Sequence, residues 1–155
     1  MKRRLFMVTA LGAAAGLPFV RAAASKEFDI SRSDAEWRAM LTPLQYKVMR
    51  QEGTERAGSS PLDKVYDAGV YHCRGCDLPV YSSAHKYDSG TGWPSFYKAL
   101  PEAIETKTDY KMIYPRTECH CRRCGSHFGH IFDDGPKPTG KRHCLNGVSL
   151  VFKSA

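Results

Sequence analysis

Beyond its first two dozen residues, the 155-residue sequence has no apolar run long and well placed enough for a polytopic membrane protein. It has no internal repeat apart from a pair of Cys motifs, and no low-complexity tract past the leader. After residue 53 it also lacks any long helical periodicity, which argues against crossover-connected parallel sheets. A large charge excess is missing too. The whole chain carries 23 Lys and Arg against 16 Asp and Glu, a formal +7, but Lys2, Arg3, Arg4 and Arg21 all lie in residues 1–24, where there is no acid. Past that segment 19 basic residues face 16 acidic ones. Four thiolates on one divalent zinc would lower the resulting +3 to +1. Bulk attraction to phosphate is therefore not expected, and no nucleic-acid partner is assigned. At 42% hydrophobic and 25% charged, the composition is that of a globular chain.

The first 24 residues read as an address. A basic head, an apolar stretch broken at Pro18 and the small residues Ala22-Ala23-Ala24 reproduce the layout of a secretory signal. Arg3-Arg4-Leu5-Phe6-Met7 resembles a twin-arginine export signal, with the general secretory route as the alternative. The expectation is a signal over 1–24, a single domain over 25–155, a periplasmic or otherwise exported location, and no stable membrane insertion after cleavage.

Helix signals are confined to residues 31–52. Ser33 with Glu36 forms a capping-box pattern, and Thr42-Pro43 with Gln45 forms a second start. Leu44, Val48 and Met49 are expected as one buried stripe, with Gly53 as the stop. Beyond a turn-rich 53–69, strands are expected at 70–72, 78–82, 109–114, 118–120, 127–132 and 143–152. The fold class is mainly β: two antiparallel β-sheets with short N-terminal helices, in a single domain.

The six cysteines are of three kinds. Cys73-Arg-Gly-Cys76 and Cys121-Arg-Arg-Cys124 each stand between two expected strands, as knuckles at hairpin tips. Two such knuckles supply the four sulfurs of a tetrahedral structural zinc, which would staple distant parts of the domain. Disulfides are the competing reading in an oxidising compartment. Cys144 stands alone in Arg142-His143-Cys144-Leu145-Asn146. On a strand, residues 142, 144 and 146 share a face, so a guanidinium and an amide flank a thiol, and the cation favours the reactive thiolate. Cys119 fits a spare neighbour of the metal, a packed core thiol, or a resolving partner for oxidised Cys144.

His127 and His130 follow the second knuckle and suit proton transfer, with Asp134 placed to orient one of them. Trp93, inside the Gly/Pro loop Gly90-Thr91-Gly92-Trp93-Pro94, offers an apolar wall for a methyl group beside the thiol.

In order along the chain come Leu41-Thr42-Pro43, Gly53-Thr54-Glu55-Arg56, Ser89-Gly90-Thr91-Gly92-Trp93-Pro94-Ser95-Phe96, Arg116-Thr117-Glu118, Ser126-His127-Phe128-Gly129-His130, Asp134-Gly135-Pro136 and Arg142-His143-Cys144-Leu145-Asn146. With both knuckles, this ordered set resembles the zinc-containing form of the methionine sulfoxide reductase B family, which acts on the R epimer of methionine sulfoxide. The resemblance implies that Cys144 attacks the sulfoxide sulfur and becomes a sulfenic acid, with Arg142 favouring its thiolate. Trp93 would hold the substrate methyl. His127, His130 and Asn146 would stabilise or protonate the leaving oxygen, with Asp134 in support. Cys73, Cys76, Cys121 and Cys124 would bind one structural zinc. A thioredoxin-like dithiol protein would restore the enzyme, oxidised proteins or peptides would be its substrates, and the chain would act as a monomer in protein repair under oxidative stress. Four features depart from the family pattern, one of them Cys119, which stands where an apolar residue is expected in relatives. Thr91 stands where many relatives carry a resolving cysteine, so either Cys119 substitutes or an external thiol acts directly. Ala57-Gly58-Ser59-Ser60 is unusual and is expected to alter a loop near the site. His143 replaces a common aromatic. Two readings compete with the enzyme: a zinc-ribbon-like binding module, prompted by Arg122-Arg123, and a disulfide-stapled secreted domain without catalysis.

Overall fold

Both expected helix starts form as complete capping boxes in the computed structural model, which describes residues 27–155. The export signal expected at 1–24 lies outside the described residues. Ser33 accepts from the Glu36 backbone while Glu36 reaches back to Ser33, which opens α1 (Asp34–Met40). Thr42 and Gln45 do the same for α2 (Pro43–Gln51). Helix α1 buries Trp37, and α2 buries Tyr46, Val48 and Met49. Leu44, expected in that stripe, is exposed instead; Tyr46 takes the inward place and sends its hydroxyl to Asp34. The chain turns out of α2 at Glu52, which adopts the left-handed conformation one residue before the expected Gly53.

Nine strands follow: β1 (Gly69–Cys73), β2 (Pro79–Ser82), β3 (Lys86–Tyr87), β4 (Ser95–Phe96), β5 (Ile104–Asp109), β6 (Arg116–Cys121), β7 (His127–Phe132), β8 (Arg142–Leu145) and β9 (Leu150–Ser154). They form two antiparallel sheets, one ordered β2-β1-β9 and the other β3-β4-β8-β7-β6-β5. The segment expected as one strand over 143–152 is two. Asn146 leaves β8, a 3-10 turn at Gly147–Ser149 redirects the chain, and β9 joins the other sheet. The strand expected at 109–114 is displaced. Asp109 is the last residue of β5, and 110–114 is an exposed connection. The two-residue strands β3 and β4 lie outside the expected set.

The sheets face each other across an aromatic core. Tyr71 and Tyr81 of the smaller sheet meet Phe96 of the larger at ring-centroid distances of 5.0 and 4.7 Å, and Phe128 closes the cluster 6.5 Å from Tyr81. Each of these rings is fully buried, which is worth about 2–3 kcal/mol per side chain. His143 points into this core, where Tyr81 Oη lies 3.0 Å from its Nδ1. Burial drives His143 down to about 4, so it stays neutral and fills the place of an aromatic ring. No described helix is long and apolar enough to cross a membrane.

Candidate active site and metal centre

The two knuckles lie at the β1–β2 and β6–β7 hairpin tips, and the fold brings them together. The sulfurs of Cys73, Cys76, Cys121 and Cys124 all lie within 4.8 Å of one another. Cys73 Sγ is 3.6 Å from Cys124 Sγ, and Cys76 Sγ is 3.5 Å from Cys121 Sγ. Metal–sulfur bonds of about 2.3 Å in a tetrahedron require sulfur–sulfur edges of roughly 3.8 Å, whereas a disulfide needs about 2.05 Å. All six cysteines are free thiols, so the stapled-domain reading does not describe this arrangement. Four buried or half-buried thiol groups converge on one point and fit a divalent metal. Arg122 and Arg123, which prompted the binding-module reading, are engaged within the chain: Arg122 Nε donates to Glu102 O at 2.6 Å, and Arg123 donates to Cys76 O at 3.3 Å.

On the outer face of the larger sheet lies a slot of about 150 Å³, lined by Thr54, Trp93, Arg116, His130, Cys144 and Asn146 among others. Register explains the grouping. Residues paired across antiparallel strands share a face, and Glu118, His130 and Cys144 are paired in succession across β6, β7 and β8. Gly129 permits the close approach of β7 to β8, because a Cβ there would meet Cys144 O at 2.0 Å.

Cys144 is half-buried. Burial pushes its thiol up, while the Thr91 hydroxyl, 3.9 Å from the sulfur, and the Arg142 guanidinium pull it back. Burial wins, so the resting group is a thiol rather than the thiolate expected from Arg142 alone. Thr91 is held by Ser89, whose Oγ lies 2.8 Å from Thr91 Oγ1 and 2.7 Å from Ser95 Oγ.

Asp134 does not orient a histidine. It grips Arg142 with two bonds of 2.9 Å each, and the same guanidinium carbon sits 4.4 Å from the Phe132 ring centroid. This fixes the guanidinium next to Cys144 and raises its affinity for a proton. The carboxylates that orient the histidines come from elsewhere. His130 Nε2 lies 2.8 Å from Asp109 Oδ2, and His127 Nδ1 lies 2.6 Å from Glu118 Oε1. His127 stands one step back from the slot. Its ring is 5.5 Å from that of His130, and it lines a separate cavity of about 820 Å³ with Glu118 and His120.

Glu55 is a third carboxylate whose role is not legible in the sequence. Its carboxylate accepts from Gly147 N at 2.6 Å and Val148 N at 3.1 Å, its backbone N–H donates to Asn146 Oδ1 at 2.8 Å, and its carbonyl accepts from Trp93 Nε1 at 3.1 Å. One residue thus ties the indole to the asparagine across the slot. Asn146 also donates from Nδ2 to Phe128 O at 2.9 Å, so it is fixed and retains one amide hydrogen for a ligand. The unusual stretch at 57–60 does reach the site: Gly58 N donates to Gly92 O at 2.7 Å, bracing the loop just before Trp93.

Cys119 is not placed to resolve Cys144. It pairs with Gly129, which pairs with Leu145, so its side chain lies on the core face with Leu145, opposite to that of Cys144. It is fully buried, and burial pushes its thiol far up. An inert core thiol is the result, and a Cys119–Cys144 bond would require the sheet to open.

The SelR domain family matches residues 41–154. The chain is 50% identical over 125 residues to a peptide methionine sulfoxide reductase MsrB of Thiobacillus denitrificans, covering 80% of this chain and 95% of that protein. It is 49% identical over 126 residues to an MsrB of Methanosarcina barkeri, covering 81% and 89% respectively. With the chloroplastic peptide methionine sulfoxide reductase B1 of Oryza sativa it shares 48% identity over 127 residues, which is 81% of this chain and 59% of that protein.

Proposed function

This chain belongs to the methionine sulfoxide reductase B family, and we propose that it reduces the R epimer of methionine sulfoxide in peptides and proteins, with Cys144 as nucleophile. The supporting observation is the cross-strand pairing of Cys144 with His130 at the floor of a slot walled by Trp93.

The sulfoxide methyl packs against the indole, and the sulfoxide sulfur faces Cys144 Sγ. Asp109 is ionised and accepts the His130 Nε2 hydrogen, which leaves Nδ1 as the proton-accepting nitrogen. His130 takes the Cys144 proton as sulfur attacks sulfur, and delivers it to the departing oxygen. Arg142 stabilises the thiolate while it exists. Asn146 donates to the oxygen as charge builds there. In net terms the Cys144 thiol and the sulfoxide become a Cys144 sulfenic acid and a thioether, with the oxygen moving to Cys144. Two thiols of a thioredoxin-like dithiol protein then reduce the sulfenic acid, giving water, a disulfide in the reductant and the free Cys144 thiol. With Thr91 in place of a cysteine and Cys119 sealed in the core, the external dithiol acts on Cys144 directly. His127 supports His130 from behind the slot, and Asp134 acts by holding Arg142.

Cys73, Cys76, Cys121 and Cys124 would hold one zinc, which when bound joins the two hairpins and takes no part in the chemistry. The chain acts as a monomer on oxidised proteins, and its leader sends it to the periplasm, where it repairs methionines exposed to oxidants. Fractionating cells that express the full chain tests the location: retention in the cytoplasm would refute it.

The deciding assay is dithiol-dependent turnover of each epimer by the wild type and by Cys144→Ser. Turnover of the R epimer alone, lost in the variant, is the expected result; an active variant removes Cys144 from the reaction. Mass spectrometry after one turnover without reductant should find a single added oxygen on Cys144.

A further inference from the structure

The connection between β5 and β6 is Tyr110-Lys111-Met112-Ile113-Tyr114-Pro115, and its four large apolar side chains all face solvent. Tyr110 is 77% exposed, Tyr114 59%, Met112 51%, and Ile113 is wholly exposed. Such a cluster on a soluble surface marks a contact site more often than single exposed apolar residues do. The base of the loop is tied to the body while these four side chains stay outside. Asp109 Oδ1 accepts from Lys111 N at 2.8 Å, and the Lys111 ammonium pairs with Glu52. With Lys111 occupied there, and Arg116 beyond the loop held by Asp109 at 2.6 Å, the segment between presents hydrocarbon and phenol rather than positive charge.

Both ends of the loop stand at the slot. Arg116, first residue of β6, lines it, and Asp109, last residue of β5, holds the His130 that lines it. A chain that inserts one side chain beside Cys144 therefore runs within reach of the loop. The substrate's own chemistry supplies the match. Methionine is mostly an interior residue, so a protein methionine sulfoxide that can enter a slot lies in a stretch that has lost its packing and exposes apolar neighbours.

Building on the proposed reaction, we propose that residues 110–114 form a docking surface for the apolar residues that flank a methionine sulfoxide in an unfolded polypeptide. It adds affinity for oxidised protein without touching the chemistry. A single acylated methionine sulfoxide is too short to reach it.

The test is the double variant Tyr110→Ser with Ile113→Ser, two exposed positions outside the catalytic groups, assayed with a small-molecule dithiol as reductant. For an oxidised, unfolded protein, kcat/KM should fall about tenfold, carried by KM. For N-acetyl methionine R-sulfoxide it should stay within about twofold of wild type, which also shows that the variant is folded. Unchanged kinetics on both substrates, or an equal loss on both, overturns the proposal. So does a loss confined to assays driven by a dithiol protein, which would make the loop the reductant's contact, or wild-type binding to anionic phospholipid vesicles that the variant lacks. Failure of the wild type on both substrates would instead refute the reaction itself.

Discussion

His130 Nε2 and Arg116 Nη2 converge on the same oxygen, Asp109 Oδ2, at 2.8 and 2.6 Å. Backbone and side-chain hydrogen bonds, from Lys111 N first, hold this carboxyl well below the usual carboxylate range, so it is charged at any working pH. Burial pushes His130 down, and Asp109 counters that push. Asp109→Asn keeps the shape, removes the counter-charge and so lowers the His130 affinity for a proton further. As base, His130 must be neutral, so the acid limb of the pH–rate profile should move to lower pH. The weaker base should cut kcat by about a hundredfold, with KM little changed. A fall in kcat without movement of the acid limb would deny His130 this role.

Arg142 acts on Cys144 through charge, and its position depends on Asp134 and the Phe132 ring. Arg142→Met keeps most of the side-chain volume but removes the cation, leaving burial less opposed and the Cys144 thiol higher still. The rate of Cys144 alkylation by iodoacetamide at pH 7 should drop about tenfold, and its titration should move to higher pH. An unchanged alkylation profile would show that the guanidinium does not reach the sulfur electrostatically.

The four-cysteine cluster joins the β1–β2 hairpin of one sheet to the β6–β7 hairpin of the other. Metal bound there contributes folding free energy directly, on the order of several kcal/mol. Purified protein should contain one zinc per chain. Chelation, or Cys73→Ser, should lower Tm by more than 10 °C, since about 1 kcal/mol shifts Tm by several degrees in a domain this size. Equal Tm values with and without metal would show that the hairpins are held by packing alone.

Legibility in the sequence followed the range of the interaction. Both knuckles and both capping boxes are local patterns, and they formed where the spacing placed them. The strand expected at 109–114 failed because Tyr110, Ile113 and Tyr114 have the propensity for a strand but, like Met112, no partner that buries them. Asp134 is near the histidines in sequence, yet it faces Arg142. Asp109 and Glu118 lie 21 and 9 residues from the histidines they hold, brought there by β5–β6–β7 register. Cys119 shows the same limit. Alternation placed it on a strand, but only the pairing through Gly129 reveals that it faces away from Cys144.

Glu118 is held between two histidines. It is 1% exposed, and its two oxygens meet His127 Nδ1 at 2.6 Å and His120 Nδ1 at 2.7 Å. Burial pushes the carboxyl up, but the hydrogen bonds from His120 and His127 outweigh it and bring the group down to about 2, from 4.5. A carboxylate depressed by folding adds stability that is complete above its unfolded value and disappears as pH falls through its folded value. The window is therefore from about pH 4.5 down to about pH 2, and the contribution at neutral pH is on the order of 3 kcal/mol. Glu118→Gln should lower the urea midpoint at pH 7, and the gap to wild type should narrow steadily through that window. Any metal held by the cysteine cluster would be released by acid from both proteins alike, and its loss cancels in the difference. Two midpoint curves that stay parallel from pH 7 to pH 2 would show that the histidines do not stabilise the Glu118 charge.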